Sequence, residues 1–336
     1  TPAMTKGSAN LVTGASGFVG AAVVRKLLDA GEAVRVLMRP GSDRRNIAGL
    51  DVEVVEGDLL APETLAPAVK GCRALYHVAA DYRIWTRDPA AMFRANVDGS
   101  AAIVRAAAEA GAERIVYTSS VAVLGIPPGG VGDEDTPVTY RDMIGPYKQS
   151  KFKAEERIRD LTAKEGWPVV IVNPSTPIGP RDVKPTPTGR IVVDAANGKM
   201  PVYVDTGLNV AHVDDVAAGH LLAFAKGRIG ERYVLGGENM GLSDILGVIA
   251  DLTGGRPPLF RVPTGLIMPI AHISEAWCRM TGGAEPMVAP DSVRMAKKKM
   301  FFRWDKAARE LGYAPRPARD ALADAVAWFR ANGYIA

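Results

Sequence analysis

Cysteine is nearly absent from this 336-residue sequence: Cys72 and Cys278 are the only two, with no CxxC spacing. A disulfide framework has no support, which suits a reducing cytoplasm, the expected location. The four histidines (His77, His212, His220 and His272) show no ligand spacing with the cysteines, so no metal site is expected. No basic run interleaved with aromatics occurs, and 41 basic against 37 acidic residues leave a formal charge of only +4. A nucleic-acid partner is therefore not expected. The one dense cationic cluster, Lys297 to Lys299, reads as a solvated helix face. Long apolar runs are missing too. The longest, around residues 265–273, contains Pro269 and is too short to span a bilayer. A peripheral membrane contact stays open. The chain opens without a charged-then-apolar signal pattern, and Thr1 to Ala3, ahead of Met4, read as an appendage outside the fold.

What is present is an ordinary globular balance, 47% hydrophobic and 23% charged, long enough for a large core with a smaller lobe. The first half alternates. Apolar runs at 10–13, 33–38, 52–56, 74–78, 114–118 and 169–172 read as buried parallel strands. Helical segments at 19–30, 61–69, 96–110 and 147–165 lie between them, the last two ending near Gly111 and Gly166. Strands joined by helices of that length require right-handed crossovers and a parallel sheet covered on both faces. The expected fold is α/β, a Rossmann-type doubly wound sheet over residues 4–172. From Asn173 proline and glycine thicken, and short strands (202–204, 232–235) mix with helices near 213–226, 242–253, 266–281 and 318–332. Residues 173–336 read as a mixed α/β substrate lobe with returns to the core.

A glycine turn joins the first strand and helix: Thr13-Gly14-Ala15-Ser16-Gly17-Phe18-Val19-Gly20. Gly14 permits the tight turn, Gly17 lets backbone approach a pyrophosphate, and Gly20 lets the helix pack close. The helix N-terminus offers free N–H groups to phosphate, so Gly14, Ser16, Gly17, Phe18, Val19 and Gly20 are expected to hold a dinucleotide. An acid at the end of the second strand would mark NAD, by bonding the ribose 2′-hydroxyl. Here that strand ends in Arg39, with Arg44 and Arg45 close behind. NADP(H) is favoured and NAD(H) remains open. Asp58, with Leu59 at the end of the third strand, is placed to accept the adenine amino group, or simply to cap the next helix.

Tyr147 and Lys151, four residues apart, share one face of a helix. A nearby ammonium favours the phenolate, so Lys151 is expected to pull the Tyr147 pKa below its ordinary value, as a proton donor or base near neutrality requires. Lys151 can also reach the nicotinamide ribose. Thr118-Ser119-Ser120 ends the fifth strand toward the same crevice, where Ser120 can hydrogen-bond the reacting oxygen, although serines at a strand end also serve turns. Asn96 reads as a helix N-cap or as a support for the active-site backbone.

In this order, Thr13-Gly14-x-x-Gly17-x-x-Gly20, Asp58, His77-Val78-Ala79-Ala80, Asn96-Val97, Thr118-Ser119-Ser120, Tyr147-x-x-x-Lys151 and His212-Val213-Asp214-Asp215 resemble the extended short-chain dehydrogenase/reductases. The likeness runs from about residue 8 to 333. It implies a catalytic serine at Ser120, an acid/base at Tyr147 and an activating lysine at Lys151. It also implies a cofactor lining that includes Ala79, Ala80, Thr118 and Pro174, and a homodimer through helices near 96–110 and 147–165. Arg39 and the first half are similar to dihydroflavonol-reductase-type enzymes. Residues 80–88, 142–147 and 173–182 resemble the bacterial hopanoid-associated sugar epimerase/reductase subfamily.

Tyr82 and Trp85 read equally as a substrate wall over the nicotinamide and as loop packing. Arg181, Lys184 and Arg190 read as a solvated loop, with an anion clamp as the sharper alternative. Leu266, Ile270, Trp277 and Met280 read as lobe core, the alternative being a receptor for a greasy tail. The expected activity is reduction of an aldehyde or ketone on a sugar-like polyol, free or lipid-linked, by NADPH. The alternatives are an NAD-dependent sugar epimerase or dehydratase and a non-catalytic dinucleotide sensor.

Overall fold

A computed structural model describes residues 9–281, 286 and 288–336. The apolar runs of the first half form β1 (Ala9–Thr13), β2 (Val34–Met38), β3 (Glu53–Glu56), β4 (Cys72–His77), β5 (Arg114–Thr118) and β6 (Val169–Pro174). Between them lie α1 (Phe18–Asp29), α2 (Leu65–Val69), α3 (Pro89–Phe93), α4 (Ser100–Glu109) and α5 (Gly145–Glu165). Then come β7 (Thr176–Ile178), α6 (Pro187–Ala196), β8 (Val202–Tyr203), β9 (Gly207–His212), α7 (Val213–Lys226) and β10 (Arg232–Leu235). The chain closes through β11 (Glu238–Gly241), α8 (Leu242–Thr253), β12 (Phe260–Arg261), α9 (Thr264–Thr281), α10 (Pro290–Met295), α11 (Asp305–Leu311) and α12 (Ala318–Ala331).

The main sheet has seven strands in the order β3-β2-β1-β4-β5-β6-β10, and every pairing is parallel. This is the doubly wound Rossmann-type α/β fold. Val12, Val36, Val116, Val170 and Val172 are fully buried. Each such side chain stabilises the sheet by about 1.5–3 kcal/mol, which is why these strands carry almost no polar alternation. The late strand β10 completes the sheet, and α7 packs against α1 across one face. The smaller lobe is built on the sheet β11-β9-β7 and the pair β12-β8. Its core gathers Ile178, Val192, Val210, Ile249, Leu322 and Phe329.

The helix expected from Asn96 begins earlier. Its N-cap is Asp88, whose carboxylate accepts the Ala91 N–H at 2.9 Å, and the chain runs through a π turn at Arg94–Gly99 into α4. Asn96 is therefore buried inside a helix and is not a cap. Lys297 to Lys299 are exposed but lie beyond the end of α10, not on a helix face. The largest departure is α9. Leu266, Ile270, Trp277 and Met280, expected in the lobe core, are all more than half exposed. Only Ala271 and Cys278 of this helix are buried, because it rests on the lobe through one narrow edge and turns its bulky side chains outward. Among the described residues no helix is long and apolar enough to cross a membrane.

Candidate active site

The sheet order reverses between β1 and β4, the switch point where an open α/β sheet offers a crevice beyond its strand ends. Gly14 has φ +74°, and a Cβ on it would stand 2.7 Å from the Ala79 backbone nitrogen. A Cβ on Gly20 would stand 2.1 Å from the Gly14 carbonyl oxygen, so only glycine lets α1 approach its own turn. The cap residue Gly17 has no side chain to bond the first N–H groups of α1, and no acid lies in the first turn. A bare helix N-terminus beside a glycine turn fits a pyrophosphate. Ser16, Phe18 and Val19 belong to the same turn, with Phe18 buried and Ser16 exposed.

Thr13 braces the crevice. Its Oγ1 accepts the Val78 and Ala79 N–H groups, both at 3.2 Å, and lies 2.7 Å from His77 Nδ1. The hydroxyl proton therefore goes to Nδ1, leaving His77 Nε2–H to donate to Ser100 Oγ at 2.8 Å. Burial, with a smaller contribution from Lys151, lowers the His77 pKa to about 3, so the ring is a neutral strut between β1, β4 and α4. Asn96 acts likewise. Its Oδ1 accepts the Asp81 N–H at 2.8 Å, while Nδ2 donates to the Asp81 carbonyl at 2.9 Å and to Ser150 Oγ at 2.9 Å. It thus ties the 81–88 loop to the helix bearing Tyr147 and Lys151.

At the end of β2, Arg39 is exposed and makes no ion pair among the described residues. Arg44 and Arg45 are occupied by Glu56 and Asp43 at 3.4 and 2.7 Å. Arg39 is thus the open cation of the three. Asp58 Oδ1 accepts the Leu60 N–H at 2.9 Å, so it caps a local turn and not a helix, with Leu59 inside that turn.

Ser120, Tyr147 and Lys151 converge from β5 and α5. Ser120 Oγ accepts the Ala122 N–H at 3.1 Å, and the same hydroxyl acts on the Tyr147 phenol. Lys151 Nζ donates to the Thr118 carbonyl at 2.9 Å and lies 5.4 Å from the Tyr117 ring centroid. Burial lowers the Lys151 pKa to about 8, opposed by the Glu155 carboxylate. The expected pull of Lys151 on Tyr147 is not found. Desolvation raises the phenol pKa and the Ser120 hydroxyl opposes that rise, while the Lys151 ammonium donates to the Thr118 carbonyl. The Thr118 hydroxyl pairs with His220 Nε2 at 2.9 Å, so this residue faces the crevice only through its backbone.

Behind α5 lies a polar network that sequence reasoning missed. Asn173 Nδ2 donates to the Ser120 carbonyl at 3.0 Å and to Glu155 Oε2 at 2.9 Å. Glu155 Oε1 accepts from Arg232 Nη1 at 2.9 Å, and Glu134 Oε1 accepts the Val234 N–H at 2.7 Å. Only the Lys151–Glu155 spacing of four was legible beforehand. Pro174, next to Asn173, is buried at the end of β6. Tyr82 is 47% exposed, whereas Trp85 Nε1 donates to Glu275 Oε1 at 3.1 Å and packs the loop on α9. Arg181 is paired with Asp214 and Lys184 lies 3.7 Å from Asp43, so these two cations do not converge as an anion clamp. His212 caps α7 by accepting the Asp214 N–H at 3.0 Å.

Residues 10–236 match the NAD dependent epimerase/dehydratase family. The chain belongs to that family. As an epimerase/dehydratase-family protein it is an NAD(P)-dependent oxidoreductase of the extended short-chain kind. It is 44% identical over 329 residues to a putative dihydroflavonol 4-reductase of Synechocystis sp., covering 96% of this chain and 95% of that one. It is 37% identical to sterol demethylase protein B of Methylococcus capsulatus, covering 97% and 99% of the two chains. The crystal structure of gox2253 superposes on this family member with a TM-score of 0.88 at 52% identity, covering 98% of this chain and 99% of that one.

Proposed function

We propose that this protein reduces an aldehyde or ketone on a largely apolar, polyol-bearing or lipid-linked molecule, with NADPH as the reductant. The observation that carries the reading is the convergence of Ser120, Tyr147 and Lys151 beside the glycine turn, with Arg39 left open at the adenosine end. When bound, the dinucleotide supplies the hydride. Ser120 and Tyr147 hydrogen-bond the carbonyl oxygen, and Tyr147 gives it the proton as the carbon is reduced; solvent then returns a proton to the phenolate. Desolvation keeps the phenol protonated at neutral pH, the form that reduction requires. Lys151, held by the Thr118 carbonyl, is placed to hold the ribose. Gly14, Gly17 and Gly20 hold the pyrophosphate, and residues 173–336 supply most of the substrate wall. The names of the two relatives, dihydroflavonol 4-reductase and sterol demethylase protein B, favour a polycyclic apolar substrate.

The test pairs cofactor titration with turnover. Nicotinamide fluorescence should report tighter binding of NADPH than NADH, and Arg39→Ser should remove the difference. Tyr147→Phe should lower turnover by about 10²–10⁴-fold while leaving NADPH binding intact. A fully active Tyr147→Phe variant sinks the chemistry. Preference for NADH sinks the Arg39 assignment and moves the epimerase reading ahead.

A further inference from the structure

Helix α9 carries Leu266, Ile270, Ile273, Trp277 and Met280, each between 51% and 75% exposed. At 100° per residue these five fall within an arc of about 80°, roughly 130° round the helix from the buried Ala271 and Cys278. The chain leading into α9 adds Leu259 and Phe260, also more than 60% exposed. A stripe this continuous, set on one helix, is the geometry of a surface-lying amphipathic helix. Charge surrounds it. Residues 254–300 hold seven basic and three acidic residues, a surplus of four that equals the formal charge of the whole chain, so the remainder is balanced. Arg256, Arg261 and Lys297 to Lys299 are exposed, and Arg261 and Lys299 meet at Asp205, at 3.2 and 3.3 Å.

We infer that the outer face of α9 with its flanking cations docks on a bilayer bearing anionic headgroups. The charge decides between occupants. A second copy joined through the same stripe would bring one positive surplus against another, whereas an anionic surface attracts both the cations and, through its acyl region, the apolar stripe. The position matters as well. Trp85 bonds Glu275 at 3.1 Å and Arg87 Nη2 bonds the Cys278 carbonyl at 3.1 Å, so α9 is tied to the loop beside the active site. Docking brings that mouth to the lipid surface, where an apolar substrate would reside. This consequence rests on the proposed substrate class; the docking itself does not.

The full chain should float with vesicles of phosphatidylcholine containing about 30% phosphatidylglycerol and not with phosphatidylcholine alone. Replacing Lys297, Lys298 and Lys299 together by glutamine should weaken binding to the anionic vesicles by about 100-fold. The pair Ile273→Ser and Trp277→Ser should abolish it, with NADPH binding unchanged in both variants as the control for folding. Tyr147→Phe should float like the parent, so failure of the catalytic reading is distinguishable from failure of this one. A parent that ignores anionic vesicles, or serine variants that bind as well as the parent, overturns the proposal. So does sedimentation equilibrium showing that the serine variants only convert a dimer to monomer.

Discussion

Acidification from pH 7 to pH 5 should weaken the fold through two histidines that stay neutral in it. His220 is fully buried on α7. Its Nδ1–H donates to the Val216 carbonyl at 2.7 Å, and its Nε2 accepts from the Thr118 hydroxyl at 2.9 Å. Burial lowers its pKa to about 4, against a small opposing effect of the Val216 carbonyl, and His77 falls to about 3. Between those values and the unfolded value of about 6.5, the unfolded chain binds more protons than the folded one. Stability is therefore complete above about pH 6.5 and is lost as pH falls toward 4 and 3. At pH 5 the loss is about 2 kcal/mol for each ring, a large share of the roughly 5–15 kcal/mol that holds a domain together. Urea unfolding of the parent and of His220→Gln at pH 7, 6 and 5 isolates one contribution. The variant starts less stable at pH 7, but its further loss on going to pH 5 should be smaller by about 2 kcal/mol. Equal losses in both proteins would refute the reasoning, because His220 would then take up no extra proton on unfolding.

Two further outcomes follow from the site. Gly20→Ala should abolish dinucleotide binding as read by nicotinamide fluorescence, since its Cβ would stand 2.1 Å from the Gly14 carbonyl oxygen and force α1 off the turn. Turnover should decline as pH rises through about 8, where Lys151 loses its proton, and Glu155→Gln should move that limb to lower pH by removing the carboxylate that favours the ammonium. A pH profile unmoved by Glu155→Gln would detach Glu155 from Lys151.

Much of this protein was readable from local pattern. The runs at 10–13, 114–118 and 169–172 are strands because a parallel strand covered on both faces must be apolar throughout, and a short window shows that. Gly14, Gly17 and Gly20 announce themselves because the turn needs residues without Cβ at that spacing. Tyr147 and Lys151 share a face because the helical repeat is fixed, and the parting of Arg39 from an acid at the end of β2 is visible in one residue. Binding of the expected dinucleotide could thus be argued before any coordinates.

What only the tertiary structure decided depends on where distant segments meet. Asn173 and Glu155 join Ser120 and Lys151 because β5, β6 and α5 are neighbours in the sheet, and Arg232 reaches them because β10 returns to its edge. Asn96 becomes a strut because the fold brings its amide to the Asp81 backbone and Ser150; the helix start at Asp88, a carboxylate cap followed by Pro89, was itself a local signal. The direction of the Tyr147 pKa turned on burial, opposed by the Ser120 hydroxyl, and spacing reveals neither. The α9 stripe shows the limit most clearly. Hydrophobic periodicity establishes that a helix has an apolar face, but only the packing of its neighbours settles whether that face is covered.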